Sequence, residues 1–179
     1  MSDRPVLILT GPPGVGKSTI ASVLAERAAV GVHLESDRFF DFIRGGHLEP
    51  WKPEAQKQNE VVMGVVGQAA ATYAEAGYFT VIDGIVLPRW FLDPLRTTLR
   101  NAGFRVVYVV LWAPLALCAS RVEARELVAL PEPEVVPNLW SQFEDLGELA
   151  GHAVDVDGKD PDEVAATVEG ILAAGTHTV

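Results

Sequence analysis

Cysteine is nearly missing: Cys118 is the only one among 179 residues, so neither an intrachain disulfide nor a thiolate metal site can organise the chain. It stands in an Ala- and Leu-rich helical pattern, which makes a buried structural thiol the expectation. Histidine is scarce too. His33, His47, His152 and His177 lack metal-ligand spacing, and none neighbours a nucleophile in sequence, so they are assigned no catalytic role. Positive charge is also in short supply, with 14 Lys and Arg against 24 Asp and Glu, a formal net charge of −10 and no basic run. That balance excludes tracking of a nucleic-acid backbone and turns attention to a small substrate, although local donors still suffice for the phosphates of one nucleotide. No apolar stretch approaches the ~20 residues that cross a bilayer, so the chain is expected to be cytoplasmic, with no membrane partner. Repeats and low-complexity segments are missing as well.

What is present is apolar residue, 49% of the chain, enough for one substantial core and one domain over 1–179. Apolar runs of strand length at 5–10, 31–35, 78–82, 104–112 and 153–156 are continuous rather than alternating, as in strands buried on both faces of a parallel sheet. Helix-compatible patterns at 17–28, 54–76, 88–102, 114–125, 134–149 and 161–174 lie between and after them. The expected fold is therefore α/β, a doubly wound parallel five-stranded sheet. Gly77, Gly103 and Gly175 read as helix stops, and Pro88, Pro114 and Pro161 as helix starts. Pro131, Pro133 and Pro137 interrupt the helical patterns, so a short lid or surface connection is expected at about 126–137.

The first strand runs into Gly11-Pro12-Pro13-Gly14-Val15-Gly16-Lys17-Ser18-Thr19, which matches G-x-x-x-x-G-K-[ST] between a strand and a helix. Glycines there let backbone N–H groups converge on a phosphate, and the helix adds its dipole and free amides. Gly11, Gly14, Val15, Gly16, Lys17, Ser18 and Thr19 are thus the expected binding residues for ATP or GTP, with Lys17 on the β- and γ-phosphates and the Ser18 hydroxyl on Mg²⁺. The third strand ends in Asp83, a Walker-B-like carboxylate at the sheet edge where open α/β folds bind ligands. Asp83 is expected to hold Mg²⁺ directly or through water, or to orient Lys17 or Ser18.

The second strand ends at Glu35-Ser36-Asp37, before a short helix over 38–44. Asp37 projects from the same edge, where a carboxylate can take the proton of an attacking hydroxyl, or can simply cap the helix; Asp41, one turn on, is the alternate base. Arg121 and Arg125, at i and i+4 with no acid at i±3 or i±4, point to an external anion, one clamping the transferring phosphoryl group and the other the nucleotide. Trp51, Trp90 and Arg89 fall where an acceptor pocket would form, and 157–160 can meet the nucleotide base or form a plain turn.

With Gly11 to Thr19, Ser36-Asp37, Val81-Ile82-Asp83-Gly84 and Arg121-x-x-x-Arg125 in this order, nearly the whole chain resembles the chloramphenicol-phosphotransferase-like and gluconate-kinase-like small P-loop kinases. The resemblance implies an adenylate-kinase-like core, ATP as donor and a small hydroxylated acceptor. It implies catalytic roles for Lys17, Asp37, Arg121 and Arg125, the two arginines coming from the lid. Two other functions remain open at this point: a zeta-toxin-like kinase of nucleotide sugars, and a nucleotide-binding switch or ATPase with no acceptor. The acceptor's identity and the choice between monomer and homodimer are not readable in the sequence.

Overall fold

The computed structural model describes residues 5–88, 90–124 and 134–179. Arg89, Arg125 and most of the expected lid lie outside them.

Five short strands, β1 (Val6–Thr10), β2 (Gly31–Glu35), β3 (Phe79–Asp83), β4 (Val106–Trp112) and β5 (Ala153–Asp155), form one parallel sheet in the order β2-β3-β1-β4-β5. The continuous apolar runs become strands because both sheet faces are covered. Side chains alternate: Val6 and Ile8 of β1 face α3 (Gln56–Glu75) and α4 (Leu92–Asn101), whereas Leu7 and Leu9 face α1 (Lys17–Arg27), α5 (Leu115–Glu123) and α7 (Pro161–Ala174). Every residue of β1 is fully buried. A short α2 (Ser36–Phe40) follows β2, and α6 (Val135–Ser141) precedes a 3₁₀ turn at Gly147–His152. Among the described residues no helix is long and apolar enough to cross a membrane.

Local chemistry fixes several ends. Helix α7 opens with Pro161 and a reciprocal capping box between Asp160 and Glu163. Four expected boundaries move. Pro88 opens no helix: Trp90 N–H bonds back to Leu87 O at 2.9 Å, Phe91 takes a left-handed φ of 65° with its ring buried, and α4 starts only at Leu92. The helix expected over 134–149 stops at Ser141, and further on Asp145 accepts the Gly147 N–H at 3.0 Å in a separate turn before the 3₁₀ segment. Pro137, expected in the connection, lies instead in the first turn of α6, where its missing N–H has no helical partner to lose. Finally, α2 begins at Ser36 rather than at residue 38.

The amino-terminal half of β4 extends past the reach of β5, which pairs only with Val110, Leu111 and Trp112. Residues 177–179 cover that edge: Tyr108 N–H donates to His177 O at 2.9 Å, Val179 N–H donates to Val106 O at 3.1 Å, and Val179 is buried.

Candidate functional site

The loop after β1 wraps into α1 through Gly16, which has a left-handed φ of 106° and caps the helix without a side-chain bond. No acid occupies the first turn of α1, so its amides and dipole stay available to an anion. Lys17 Nζ donates to Gly11 O and Pro12 O, at 3.0 and 3.1 Å, which folds the cation across its own loop. Gly14 has no room for a side chain: a Cβ there would lie 2.2 Å from Cys118 O, so α5 packs directly against the loop. That contact explains the position of Cys118, whose thiol is fully buried and pushed upward by desolvation, against the opposing charges of Lys17 and Arg121. From the same helix Arg121 Nη1 donates to Val15 O at 3.3 Å. One expected arginine is therefore placed on the phosphate loop; Arg125 lies outside the described residues. Beside the loop is a pocket of about 260 Å³, walled by Gly14, Gly16, Thr19, Arg121, Val156 and Lys159. The turn over 157–160 thus does reach the loop's surroundings.

The carboxylates gather at the same sheet edge. Parallel register sets Glu35 beside Asp83. Asp83 is 2% exposed; His33 Nε2 lies 3.1 Å from its Oδ1, and neither atom makes a hydrogen bond. Gly84 lets β2 and β3 close up at this end, since a Cβ there would stand 1.9 Å from the buried Ser36 Oγ. Beyond it the chain is pinned: Val86 N–H donates to Thr10 Oγ1 at 2.9 Å and the buried Tyr108 hydroxyl donates to Val86 O at 2.7 Å. Asp37 follows Ser36 in α2. The residue is exposed overall, with its carboxyl within electrostatic reach of Lys17, Asp83, Glu35 and Asp41. Desolvation raises it above the ordinary carboxylate value, Lys17 pulls it back down, and Asp83, Glu35 and Asp41 raise it further. Glu35 is also engaged by Arg38 one turn away.

The donor set fits Mg²⁺ of the kind held mainly by phosphates and water. A buried Asp83 oxygen without a hydrogen-bond partner and a hydroxyl, Ser18, at the start of α1 are oxygen ligands, and Mg²⁺ characteristically takes only one or two from protein. No cluster of three or more His, Cys, Asp or Glu among the described residues offers a self-sufficient metal cage.

Across the sheet edge a second pocket, of about 400 Å³, lies between 50–53, the first turn of α3, Trp90 and α6. Trp51 and Trp90, expected on the acceptor side, both line it, with Gln56 Oε1 accepting from Trp90 Nε1 at 3.1 Å. Sequence reading missed two residues. Asn59, 1% exposed in the α3 face that otherwise packs on the core, was legible only as a polar residue at a core position of the helical period. His33 faces Asp83 through a strand register that no motif announces.

Residues 6–141 match the sequence model of an AAA domain family. The chain is 28% identical over 174 residues to a shikimate kinase of Corynebacterium diphtheriae, covering 94% of this chain and 95% of that protein. Among solved structures, a tunicamycin resistance protein of Deinococcus radiodurans superposes with a TM-score of 0.71 at 19% identity, covering 98% of both chains. A gluconokinase of Sinorhizobium meliloti superposes with a TM-score of 0.68 at 20% identity, covering 97% of this chain and 94% of that one. The fold is that of small P-loop kinases.

Proposed function

The chain belongs to this AAA domain family, and from that premise we propose that it is a single-domain kinase moving the γ-phosphoryl group of ATP to a hydroxyl of a small molecule. The observation that carries the reading is the placement of Asp37 in α2 directly after β2, at the strand end where Glu35 lies beside Asp83, and within electrostatic reach of Lys17 at the phosphate loop. A nucleotide switch has no need of a second, proton-accepting carboxylate there; a kinase does. The kinases that the chain resembles support the reading.

In this mechanism the loop amides from Gly11 to Thr19 hold the phosphates, and adenosine lies along the pocket walled by Arg121, Val156 and Lys159. Lys17 exchanges the carbonyls of Gly11 and Pro12 for β- and γ-phosphate oxygens. Ser18 and Asp83 would hold Mg²⁺, which when bound neutralises charge on the phosphates. Asp37 accepts the acceptor hydroxyl's proton as the new O–P bond forms; the bond from the γ-phosphorus to the bridging oxygen breaks, and ADP carries away that electron pair. Of Arg121 and Arg125, one meets charge on the transferring group and the other holds the nucleotide.

The test is ADP release by wild type with and without a panel of hydroxylated metabolites and antibiotics, beside Asp37→Asn and Lys17→Ala. Acceptor-dependent release that falls by roughly 10²-fold or more in Asp37→Asn, with ATP affinity kept, is the expected result. Lys17→Ala should lose ATP affinity itself. Release that ignores every acceptor and survives Asp37→Asn would instead make the chain an ATPase or switch.

A further inference from the structure

Helix α3 is unusual on the side that it turns away from the core. From Val61 to Ala74 it carries no charged residue, although 21% of the whole chain is charged. Its inner stripe, centred on Val62, Val66 and Ala70, is buried against the sheet and α4. The opposite stripe is exposed: Val61 at 62%, Val65 at 49%, Gln68 and Thr72, with Gly64 beside them. Val61, Val65, Gln68 and Thr72 follow one another at intervals of four, three and four residues, the spacing of a helix–helix seam. A surface helix ordinarily carries its Lys and Glu at such positions. Here both faces are neutral or apolar, the composition of a helix that is covered on both sides.

The two glycines of α3 differ in what explains them. Gly67 is set by packing inside the chain, since a Cβ there would lie 3.2 Å from Leu95 Cδ2 on α4. A Cβ at Gly64 would meet nothing within 4 Å, yet glycine in an exposed helix interior weakens the helix relative to alanine. No contact among the described residues accounts for Gly64; the close approach of a second backbone from outside does. Thr72 turns its hydroxyl back to Gln68 O of its own helix at 2.9 Å, which leaves the Gln68 amide as the polar group of the stripe.

The charges at the two ends of the helix identify what covers it. Lys57 and Glu75, both exposed, stand 18 residues apart, five turns at about 3.6 residues each, so they lie on one line along α3 with opposite signs. Among the described residues neither forms an ion pair. A second copy of α3 laid antiparallel, with the two-fold axis at the level of Val66, brings each Lys57 beside the partner's Glu75 and each Val61 opposite the partner's Thr72. The two Gln68 amides then come within reach of each other across the axis. A parallel copy would instead set like charges together at both ends. We propose that α3 is a self-complementary interface through which two copies of this chain form an antiparallel, two-fold symmetric dimer. A seam about 30 Å long and one helix face wide buries on the order of 1,000 Å² over both copies, the low end for specific pairs, so the dimer dissociates in the micromolar range.

Sedimentation velocity on the full chain over a concentration series tests the interface. Wild type should pass from monomer to dimer with a Kd on the order of 10 µM. Val65→Lys puts a cation on the seam next to the axis and should weaken the dimer at least about tenfold, with the helicity and melting of the monomer retained. A charge exchange at the two exposed ends tests the antiparallel register. Lys57→Glu and Glu75→Lys each create two like-charge contacts across the axis, and each should weaken association about tenfold at low salt. The double variant, Lys57→Glu with Glu75→Lys, rebuilds both pairs with their signs exchanged and should return to within about threefold of wild type. Damage to the single chain cannot produce that recovery, and the exchange decides the question even where Val65→Lys fails to fold. A monomer at every soluble concentration, a dimer indifferent to Val65→Lys and to both single reversals, or a double variant no tighter than the single ones overturns the inference.

Discussion

Asp37 is where the charge of the site is balanced. The carboxyl is raised by desolvation and by Asp83, Glu35 and Asp41, with Lys17 opposing. A base acts only when deprotonated, so kcat/KM should fall as pH drops through a midpoint above the ordinary 3.8 of an aspartate. Glu35→Gln removes one of the like charges and should move that acid limb to lower pH. In Asp37→Asn the residual activity should lose the limb. An unaltered limb in both variants assigns it to another group, with Asp41 the first to examine. At this scale the sequence was most readable where function is local. The phosphate loop declares itself because nine consecutive residues do one job, and the Asp83 carboxylate because it ends an apolar strand. Asn59 and His33 were not legible, since each depends on what long-range packing brings opposite it.

The elements around the site meet at two glycines, Gly14 under α5 and Gly84 at the ends of β2 and β3. Gly84 allows the ends of β2 and β3 to close with Ser36 Oγ in the space a methyl group would need. Gly84→Ala should therefore destabilise the fold by about 1–3 kcal/mol, and it should lower turnover more than ATP affinity, because the displaced Ser36 carries Asp37 with it. Denaturant unfolding and steady-state kinetics measure the two effects. Adding Ser36→Ala, which deletes the contacted oxygen, should restore part of both; an alanine variant with wild-type stability would mean that the strands separate there without penalty. The five strands were legible to within about two residues because burial on both faces leaves a continuous apolar signature. Helix ends were less so. Pro88 carried a helix-start signal that the Leu87 to Trp90 turn overrode, and the Asp145 turn that separates α6 from the 3₁₀ segment has no periodicity to reveal it.

For the whole molecule, the sheet is completed at one corner by residues 177–179, far along β4 from the phosphate loop. Deleting them removes two backbone hydrogen bonds and the buried Val179, a loss of about 1–3 kcal/mol. A melting temperature several degrees lower, with turnover at room temperature unchanged, is the expected outcome; equal melting would show that β4 holds its edge unaided. The strand order has a different consequence, for the timing of folding. β1 and its loop leave the ribosome before β3 and β4, but β1 lies between those two strands, and Gly11 rests against the carbonyl of Leu111 in β4. The cradle, although synthesised before its neighbours in the sheet, is thus among the last parts to be finished, and its formation waits on long-range closure rather than local helix growth. A nascent chain that has emerged only as far as α3 should have no grip on nucleotide, and ATP can stabilise this protein only after β4 has docked.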